Sequence, residues 1–155
     1  MAKAFAARER TAGFKGWIKD NKSGLNVVAE QNADWDRQKA KELASTWIQQ
    51  KPDLKAIFCN NDDMALGAIQ AIEAAGLKPS KDIVIVGCDA VKGMFQAMID
   101  GKANATVECN PLQGDLFFTT AKKILKGEPV EKSVYVDEGV FDTTNAKEAF
   151  ATRQY

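Results

Sequence analysis

Short apolar segments of this sequence are repeatedly followed by amide and carboxylate side chains. They follow four such segments: Gln31 and Asn32 with Trp35, then Asn60 to Asp63, then Asp89, then Cys109 with Asn110. Amides and carboxylates exchange hydrogen bonds with pairs of hydroxyls, and the face of an indole ring can cover the C–H surface of a sugar. The residue types therefore indicate recognition of a neutral polyhydroxy ligand.

The composition excludes much catalytic chemistry. Histidine is absent, which removes Ser-His-Asp and Cys-His nucleophile systems, histidine-bound zinc and histidine general bases. The three cysteines, Cys59, Cys88 and Cys109, have no Cys-x-x-Cys spacing and are expected to be small buried residues or residues at a pocket edge. We therefore expect no catalytic residues, no metal and no cofactor.

Each polar candidate also has a purely structural interpretation. Asp62 or its neighbour could cap a helix, and Asn61 could be a turn residue. Asp89 could cap the end of a buried strand, and Trp35 could pack within a loop. Arg8, on a helix, would by default be a solvated surface charge. The pattern alone leaves these alternatives open.

The periodicity of apolar residues predicts alternating helices and strands. Helical spacing covers 3–20, 36–50, 63–75, a short stretch around 94–99 that ends at Gly101, 112–126 and 143–150. Strands are predicted at 25–30, 55–59, 83–86, 103–108 and 132–137. This alternation with short loops predicts an α/β fold, a doubly wound parallel sheet with helices on both faces.

The predicted order of elements opens with a helix, whereas doubly wound domains usually open with a strand. In the sheet order 2-1-3-4-5 the first strand is central. Its absence would leave unpaired edges in the sheet, so we expect self-association or strand exchange.

Length and charge bound the remaining possibilities. At about 150 residues per domain, the 155 residues are expected to form a single domain, 1–155. The 21 basic and 21 acidic side chains balance, which argues against nucleic acid as a partner. The N-terminus reaches Lys3 and Arg8 before an apolar region of signal-peptide length can form. A chain made as written is therefore expected to be cytoplasmic.

Five segments carry a resemblance to ribose-binding-protein-like periplasmic sugar receptors, the type I solute-binding proteins of ABC transporters. They occur in the same order as in that family, and the similarity covers essentially the whole chain: Ala7-Arg-Glu-Arg-Thr-Ala-Gly-Phe14, Ala33-Asp-Trp-Asp-Arg37, Phe58-Cys-Asn-Asn-Asp-Asp-Met-Ala-Leu-Gly67, Val86-Gly-Cys-Asp89 and Asp100-Gly-Lys-Ala-Asn-Ala-Thr106. The chain resembles the C-terminal part of such a receptor, one lobe of the type I fold without the N-terminal lobe and the first strand.

The resemblance implies a role for particular residues. Arg8 would hydrogen-bond sugar oxygens, Trp35 would stack on the ring, and Asn61 and Asp89 would take sugar hydroxyls. Family members often carry Gln shortly before the proline that follows the fourth strand, whereas this chain reads Glu108-Cys-Asn-Pro111. Asn110 is the replacement expected for that contact, and the departure argues against assuming ribose itself.

The resemblance also implies partners. The full-length receptor would bind a monosaccharide, dock on the membrane permease subunits of an ABC transporter and be periplasmic. Family receptors close two lobes around the sugar. One lobe supplies about half the hydrogen bonds, so we expect millimolar or undetectable binding by the chain alone.

Two other interpretations come from different classes of protein. The effector domain of a LacI-type repressor shares this fold and the segment 58–67, but it would need a helix-turn-helix. A response-regulator phosphoacceptor domain would use paired carboxylates with Mg²⁺. That class places the acidic pair at the end of the first strand, whereas Asp62 and Asp63 run into a helix.

Overall fold

The computed structural model describes residues 5–155 and contains six helices and four strands in that range. The helices are α1 (Phe5–Asp20), α2 (Arg37–Gln50), α3 (Asp62–Ala74), α4 (Lys92–Ile99), α5 (Gly114–Leu125) and α6 (Ala146–Thr152). The strands are β1 (Ala56–Phe58), β2 (Val84–Asp89), β3 (Ala105–Glu108) and β4 (Val140–Asp142). The six predicted helices are confirmed to within a few residues at their ends, apart from residues 3 and 4, which lie outside the described residues.

Two of the helices, α2 and α3, begin at a side chain that caps them. The side chain of Asp36 accepts a hydrogen bond from the Lys39 amide at the start of α2, and Asn61 accepts one from the Met64 amide at the start of α3. A side-chain oxygen at this position satisfies an amide that has no partner within the helix. Beyond α3, Gly76 adopts a φ of 73°, which glycine tolerates without steric cost.

The strands form one sheet in the order β1-β2-β3-β4. β1, β2 and β3 are parallel, and β4 runs antiparallel to β3. The α/β class with a mainly parallel sheet is therefore confirmed. The prediction of a strand at 132–137 was wrong: the chain returns to the sheet only at β4.

The prediction of a strand at 25–30 was also wrong, and the sheet order explains why. β1 lies at the edge of the sheet, and no strand precedes α1 among residues 5–155. In the 2-1-3-4-5 order, that preceding strand would lie between β1 and the segment 25–30. A strand is held by hydrogen bonds to a neighbour, so this segment stays irregular and leaves Leu25, Val27 and Val28 about half exposed.

One face of the sheet carries the core. Ile57, Ile85 and Thr106 are buried on this face, and a Cβ built on Gly87 would meet the side chains of Asp62 in α3 and Met94 in α4. Phe141 of β4 packs edge-on against Phe95 of α4, with ring centroids 5.0 Å apart. The helices α3 and α4 therefore cover this face closely.

The other face is only partly covered. Phe14 of α1 stacks on Phe58 of β1, with centroids 4.4 Å apart and planes 8° from parallel. Beyond that contact, Val84, Val107 and Val140 remain 39%, 41% and 66% exposed in successive strands. An apolar row on a sheet face normally packs against another element, and none of the described elements fills this place.

The chain leaves the sheet after β3 and returns beside its point of departure. The Glu108 amide donates to the Gly139 carbonyl at 2.8 Å, and the Gly139 amide donates to the Glu108 carboxylate at 2.9 Å. Between them lies α5, none of whose residues is buried. The apolar face of this amphipathic helix and the segment that follows it expose five large side chains: Phe117, Phe118, Ile124, Leu125 and Tyr135.

A clamp of polar and aromatic groups fixes the C-terminal residues. Arg153 donates to the Glu108 carboxylate, which also accepts the Tyr155 hydroxyl at 2.6 Å. The Arg153 guanidinium lies 4.8 Å and 4.7 Å from the ring centroids of Phe95 and Phe141. Burial alone would raise the pKa of Glu108, but the hydrogen bonds from Tyr155 and Arg153 outweigh it and lower that pKa.

No helix within residues 5–155 has the length and apolar character needed to cross a membrane.

Candidate sugar site

The carboxyl ends of β1 and β2 meet beside α1, and Arg10 joins them. Its Nη1 donates to the carbonyl of Asn60, just after β1, at 2.6 Å, and to Oδ1 of Asp89, the last residue of β2, at 3.1 Å. Both side chains are largely buried, with 22% of Arg10 and 31% of Asp89 exposed. Ligands of open α/β sheets bind at this edge.

The spacing of residues on α1 explains why Arg10 reaches the sheet. Ala7, Arg10 and Phe14 lie three and four residues apart and share the face that packs on the sheet. Arg8 lies two residues before Arg10 and therefore points away: its side chain is 63% exposed and its Nε bonds Glu9 at 3.2 Å. The structure thus brings Arg10, not the predicted Arg8, to the other candidates. The apolar spacing of α1 was the signal in the sequence that could have identified Arg10.

Asp89 is held in an unusual backbone conformation. Its φ is 125° and that of Ala90 is 60°, values that residues other than glycine rarely adopt. Partial burial raises the pKa of the Asp89 carboxyl, and the adjacent Arg10 guanidinium opposes that rise. The Arg10–Asp89 pair is therefore a charged hydrogen-bonding site at the end of β2 that is partly shielded from solvent.

Trp35 and Asn61 lie beside this pair. The Arg10 guanidinium is 5.8 Å from the ring centroid of Trp35, within the range of a cation–π contact. The Asn61 side chain caps α3 through its oxygen, 2.9 Å from the Met64 amide. Its nitrogen lies 3.5 Å from the Trp35 carbonyl, at the limit of a hydrogen bond. Asn61 therefore has a structural task whether or not it also binds a ligand.

Asn110 is engaged elsewhere. Its side-chain oxygen accepts the Leu112 amide at 2.8 Å, and its backbone N–H donates to the Glu138 carboxylate at 2.9 Å. These bonds shape the exit from β3 toward α5. The side chain of Asn110 is thus committed to a turn in this structure.

A small cavity of about 40 Å³ opens next to Trp35, lined also by Thr11, Asn32 and Asn60. Sites for small molecules usually enclose roughly 300–1,000 Å³. The lining combines these polar side chains with apolar groups of Ala7, Ala33 and Met64, and the cavity would surround only a fraction of a sugar ring.

The three cysteines are spread over the same end of the sheet. Cys59 and Cys88 are buried and Cys109 is exposed. Burial raises the pKa of Cys59 to about 12 and that of Cys88 to about 11, so both are protonated thiols near neutral pH. Within residues 5–155, no group of three or more Cys, Asp or Glu side chains is arranged to hold a metal ion.

Comparison with known families and proteins gives matches that span most of the chain. The sequence profile of the periplasmic binding protein domain matches residues 1–129. A ribose import binding protein of Haemophilus influenzae is 44% identical over 138 residues, 88% of this chain and 45% of that protein. The galactofuranose-binding protein of Escherichia coli is 38% identical over 149 residues, 94% of this chain and 46% of that protein.

Solved structures give the same picture. A Mycobacterium smegmatis protein in complex with β-D-fucofuranose superposes with a TM-score of 0.87 at 44% identity, covering 96% of this chain and 49% of that one. The periplasmic arabinose-binding component from Shewanella sp. ANA-3, bound to L-arabinofuranose, superposes with a TM-score of 0.89 at 39% identity, covering 99% of this chain and 52% of that one. The chain thus spans about half the length of its relatives.

Proposed function

The chain belongs to the periplasmic binding protein domain family, and from that membership we propose that residues 1–155 form the C-terminal, sugar-binding lobe of a non-enzymatic receptor for an ABC importer. The observation that carries the proposal is the cluster of Arg10, Asp89 and Trp35 at the carboxyl ends of the strands. A charged hydrogen-bonding pair beside an indole face suits a ring that carries hydroxyls on its edge and C–H groups on its face.

We assign the residues of this site different tasks. Asp89 and Arg10 exchange hydrogen bonds with sugar hydroxyls, Trp35 stacks on the ring, and Asn61 adds an amide at the end of β1. Arg8 and Asn110, implied by the family resemblance, have their polar groups engaged by Glu9 and Leu112 in this structure. They join the site only if these segments rearrange.

The ligand is a monosaccharide, and furanose forms are the first to test. Two similar solved proteins hold β-D-fucofuranose and L-arabinofuranose, and two similar curated proteins are named for ribose and galactofuranose. The cavity of about 40 Å³ encloses only part of such a ring. Binding by this chain is therefore millimolar, and the second half of the receptor supplies the remaining contacts.

The receptor's partners and location follow from the same proposal. The complete receptor works outside the cytoplasm and delivers its sugar to the membrane permease subunits of an ABC importer. The proposal is supported by relatives that are named as an import binding protein and as the periplasmic binding protein component of an ABC transporter.

The test is a titration of the chain with D-ribose, L-arabinose and D-fucose, followed through the tryptophan indole signals in NMR. At least one sugar is expected to shift the Trp35 signal saturably at millimolar concentration. Trp35→Ala is expected to abolish the shifts at neighbouring amides. The matched control is Trp17→Ala, which removes an indole that is 59% exposed on α1. Equal binding by Trp35→Ala contradicts the proposal, and a chain that shows no saturable shift with any of these sugars contradicts sugar binding by this lobe alone.

A further inference from the structure

Beneath the candidate site lies a carboxyl group that the proposed function does not use. Asp62, in the first turn of α3, is fully buried. Its Oδ1 accepts the Thr106 hydroxyl at 2.7 Å and its Oδ2 accepts the Val91 amide at 3.0 Å. The Thr106 oxygen in turn accepts the Ala90 amide at 3.2 Å. One carboxyl and one hydroxyl thus connect α3 and β3 to the turn that follows β2.

A glycine in β2, Gly87, leaves the space that this carboxyl occupies. A Cβ placed on Gly87 would lie 2.1 Å from Asp62 Oδ1, closer than any real contact. Gly87 pairs with Thr106 across the two strands. The Asp62 side chain therefore packs directly against the backbone of β2 at Gly87 and reaches the turn from the face of the sheet that α3 covers.

The backbone conformation of the turn 89–91 has to be stabilised by contacts from outside the turn. Asp89 and Ala90 both have positive φ values, 125° and 60°, and such backbone conformations persist only where the surroundings impose them. The two amides held by Thr106 and Asp62 are those of Ala90 and Val91, the residues that follow Asp89. The backbone strain and the hydrogen bonds fall on the same three residues.

We propose that Asp62, together with Thr106, is a positioning residue that holds the turn 89–91 and so directs the Asp89 carboxylate toward Arg10 and the sugar. The part that concerns the sugar rests on the proposed function; the part that concerns the turn does not. Asp62 itself touches neither Arg10 nor the cavity. It acts through the backbone of the turn.

The environment of Asp62 makes this hold sensitive to pH. The titratable groups that face it are Cys59 at the end of β1 and Cys88 and Asp89 in β2. Desolvation raises the pKa of Asp62 to about 6, against the opposing effect of the hydrogen bonds from Thr106 and Val91. Above this pH both oxygens accept hydrogen bonds. Below it one oxygen carries a proton, so the turn loses part of its hold.

The test follows the Ala90 and Val91 amides of this 155-residue chain by NMR. In the unsubstituted chain both signals are expected to titrate together with a midpoint near pH 6. Asp62→Asn is expected to remove that titration. Thr106→Val is expected to speed hydrogen exchange at the Ala90 amide by about fivefold or more, the factor that loss of one hydrogen bond implies, and Thr106→Ser is expected to restore the original rate. Asp53→Asn and Thr46→Val, at exposed positions, are the matched controls.

The two halves of the proposal fail separately. Amide signals that stay flat between pH 4 and 8, or a titration that survives Asp62→Asn, overturn the pH sensitivity. Hydrogen exchange at the Ala90 amide that Thr106→Val leaves unchanged overturns the role of Asp62 and Thr106 in holding the turn. A D-ribose titration of the same variants tests the sugar part: Asp62→Asn and Thr106→Val are expected to raise the D-ribose Kd severalfold although Asp89 itself is not substituted, and an unchanged Kd overturns it. If the unsubstituted chain does not bind D-ribose, the same comparison is made with L-arabinose and D-fucose; if it binds none of the three, the sugar binding proposed for this lobe fails, yet the amide measurements still decide the role of Asp62.

Discussion

At the scale of single residues, α1 shows how helix geometry selects between two identical side chains. Arg8 and Arg10 are separated by one residue, so they leave the helix on nearly opposite sides. Arg10 bonds Asp89 and the Asn60 carbonyl, whereas Arg8 bonds its neighbour Glu9 in solvent. Of the two arginines in this motif, one therefore contacts the sheet and the other lies on the solvent-exposed surface.

Arg10→Ala is expected to cost more than Arg8→Ala in both stability and sugar binding. It removes two hydrogen bonds that involve charged or partly buried groups, so we expect unfolding in urea to show a loss of roughly 1.5–3 kcal/mol. The salt bridge of Arg8 is exposed, and such pairs contribute little. Should Arg8→Ala instead weaken sugar binding more than Arg10→Ala, Arg8 is the sugar ligand and α1 must rotate when it binds.

The sequence was enough to predict where some of the candidate site residues lie. The alternation of strands and helices was enough to bring Asn61 and Asp89 to one edge of the sheet, because the carboxyl ends of parallel strands meet there. It could not rank Arg8 against Arg10 without knowing which face of α1 packs on the sheet. It also left Asp62 as a possible helix cap, since the hydrogen bonds of Asp62 depend on Thr106, far away along the chain. That contact exists only once β2 and β3 are paired.

At the scale of elements, helices were predictable and strands less so. Helical hydrogen bonds are local, and the periodicity of apolar residues within one segment predicts them. A strand requires a partner, and the segment 25–30 has the composition of a strand but no neighbour to pair with among the described residues. The return of the chain at β4 rather than at 132–137 likewise depends on pairing with β3.

The C-terminal clamp should be detectable as an alkaline loss of stability. Burial and the hydrogen bond to Glu108 raise the pKa of Tyr155 to about 12. The folded chain therefore holds this proton more tightly than the unfolded chain does. Its contribution is complete below pH 10 and is lost as the pH rises toward 12.

Tyr155→Phe is expected to lower the free energy of unfolding by roughly 1.5–3 kcal/mol near neutral pH and to flatten its dependence between pH 10 and 12. The measurement is urea unfolding at pH 8 and at pH 11. Tyr135→Phe, at a position that is 84% exposed, is the matched control. An equal effect of both substitutions would show that the clamp does not stabilise the fold.

At the scale of the whole molecule, β1 lies at an edge of the sheet, with no strand of residues 5–155 paired beyond it. Unpaired strand edges favour association with a second chain. We therefore expect the mass measured by light scattering to rise with concentration. Ala56→Lys, which places a charge on an exposed position of that strand, should suppress the rise.

The opposite edge of the sheet provides the control. Val140→Lys makes the same change on β4, at a position that is 66% exposed; association through β1 predicts that this substitution leaves the mass unchanged. A mass that stays constant with concentration in the unsubstituted chain excludes pairing through β1. Association that survives Ala56→Lys and disappears when Phe117 and Leu125 of α5 are replaced by serine would locate the contact on α5 instead.

The hydrogen bonds between Glu108 and Gly139 make the segment 109–138 removable. Since β3 and β4 are already antiparallel and in register at this point, an Asn-Gly pair could join them as a tight hairpin. Replacing the long segment shortens the loop that folding must close, which is worth roughly 2–2.5 kcal/mol of chain entropy. The shortened protein should therefore melt, by circular dichroism, at or above the temperature of the parent chain; a shortened protein that does not fold would show that the segment helps to organise the sheet.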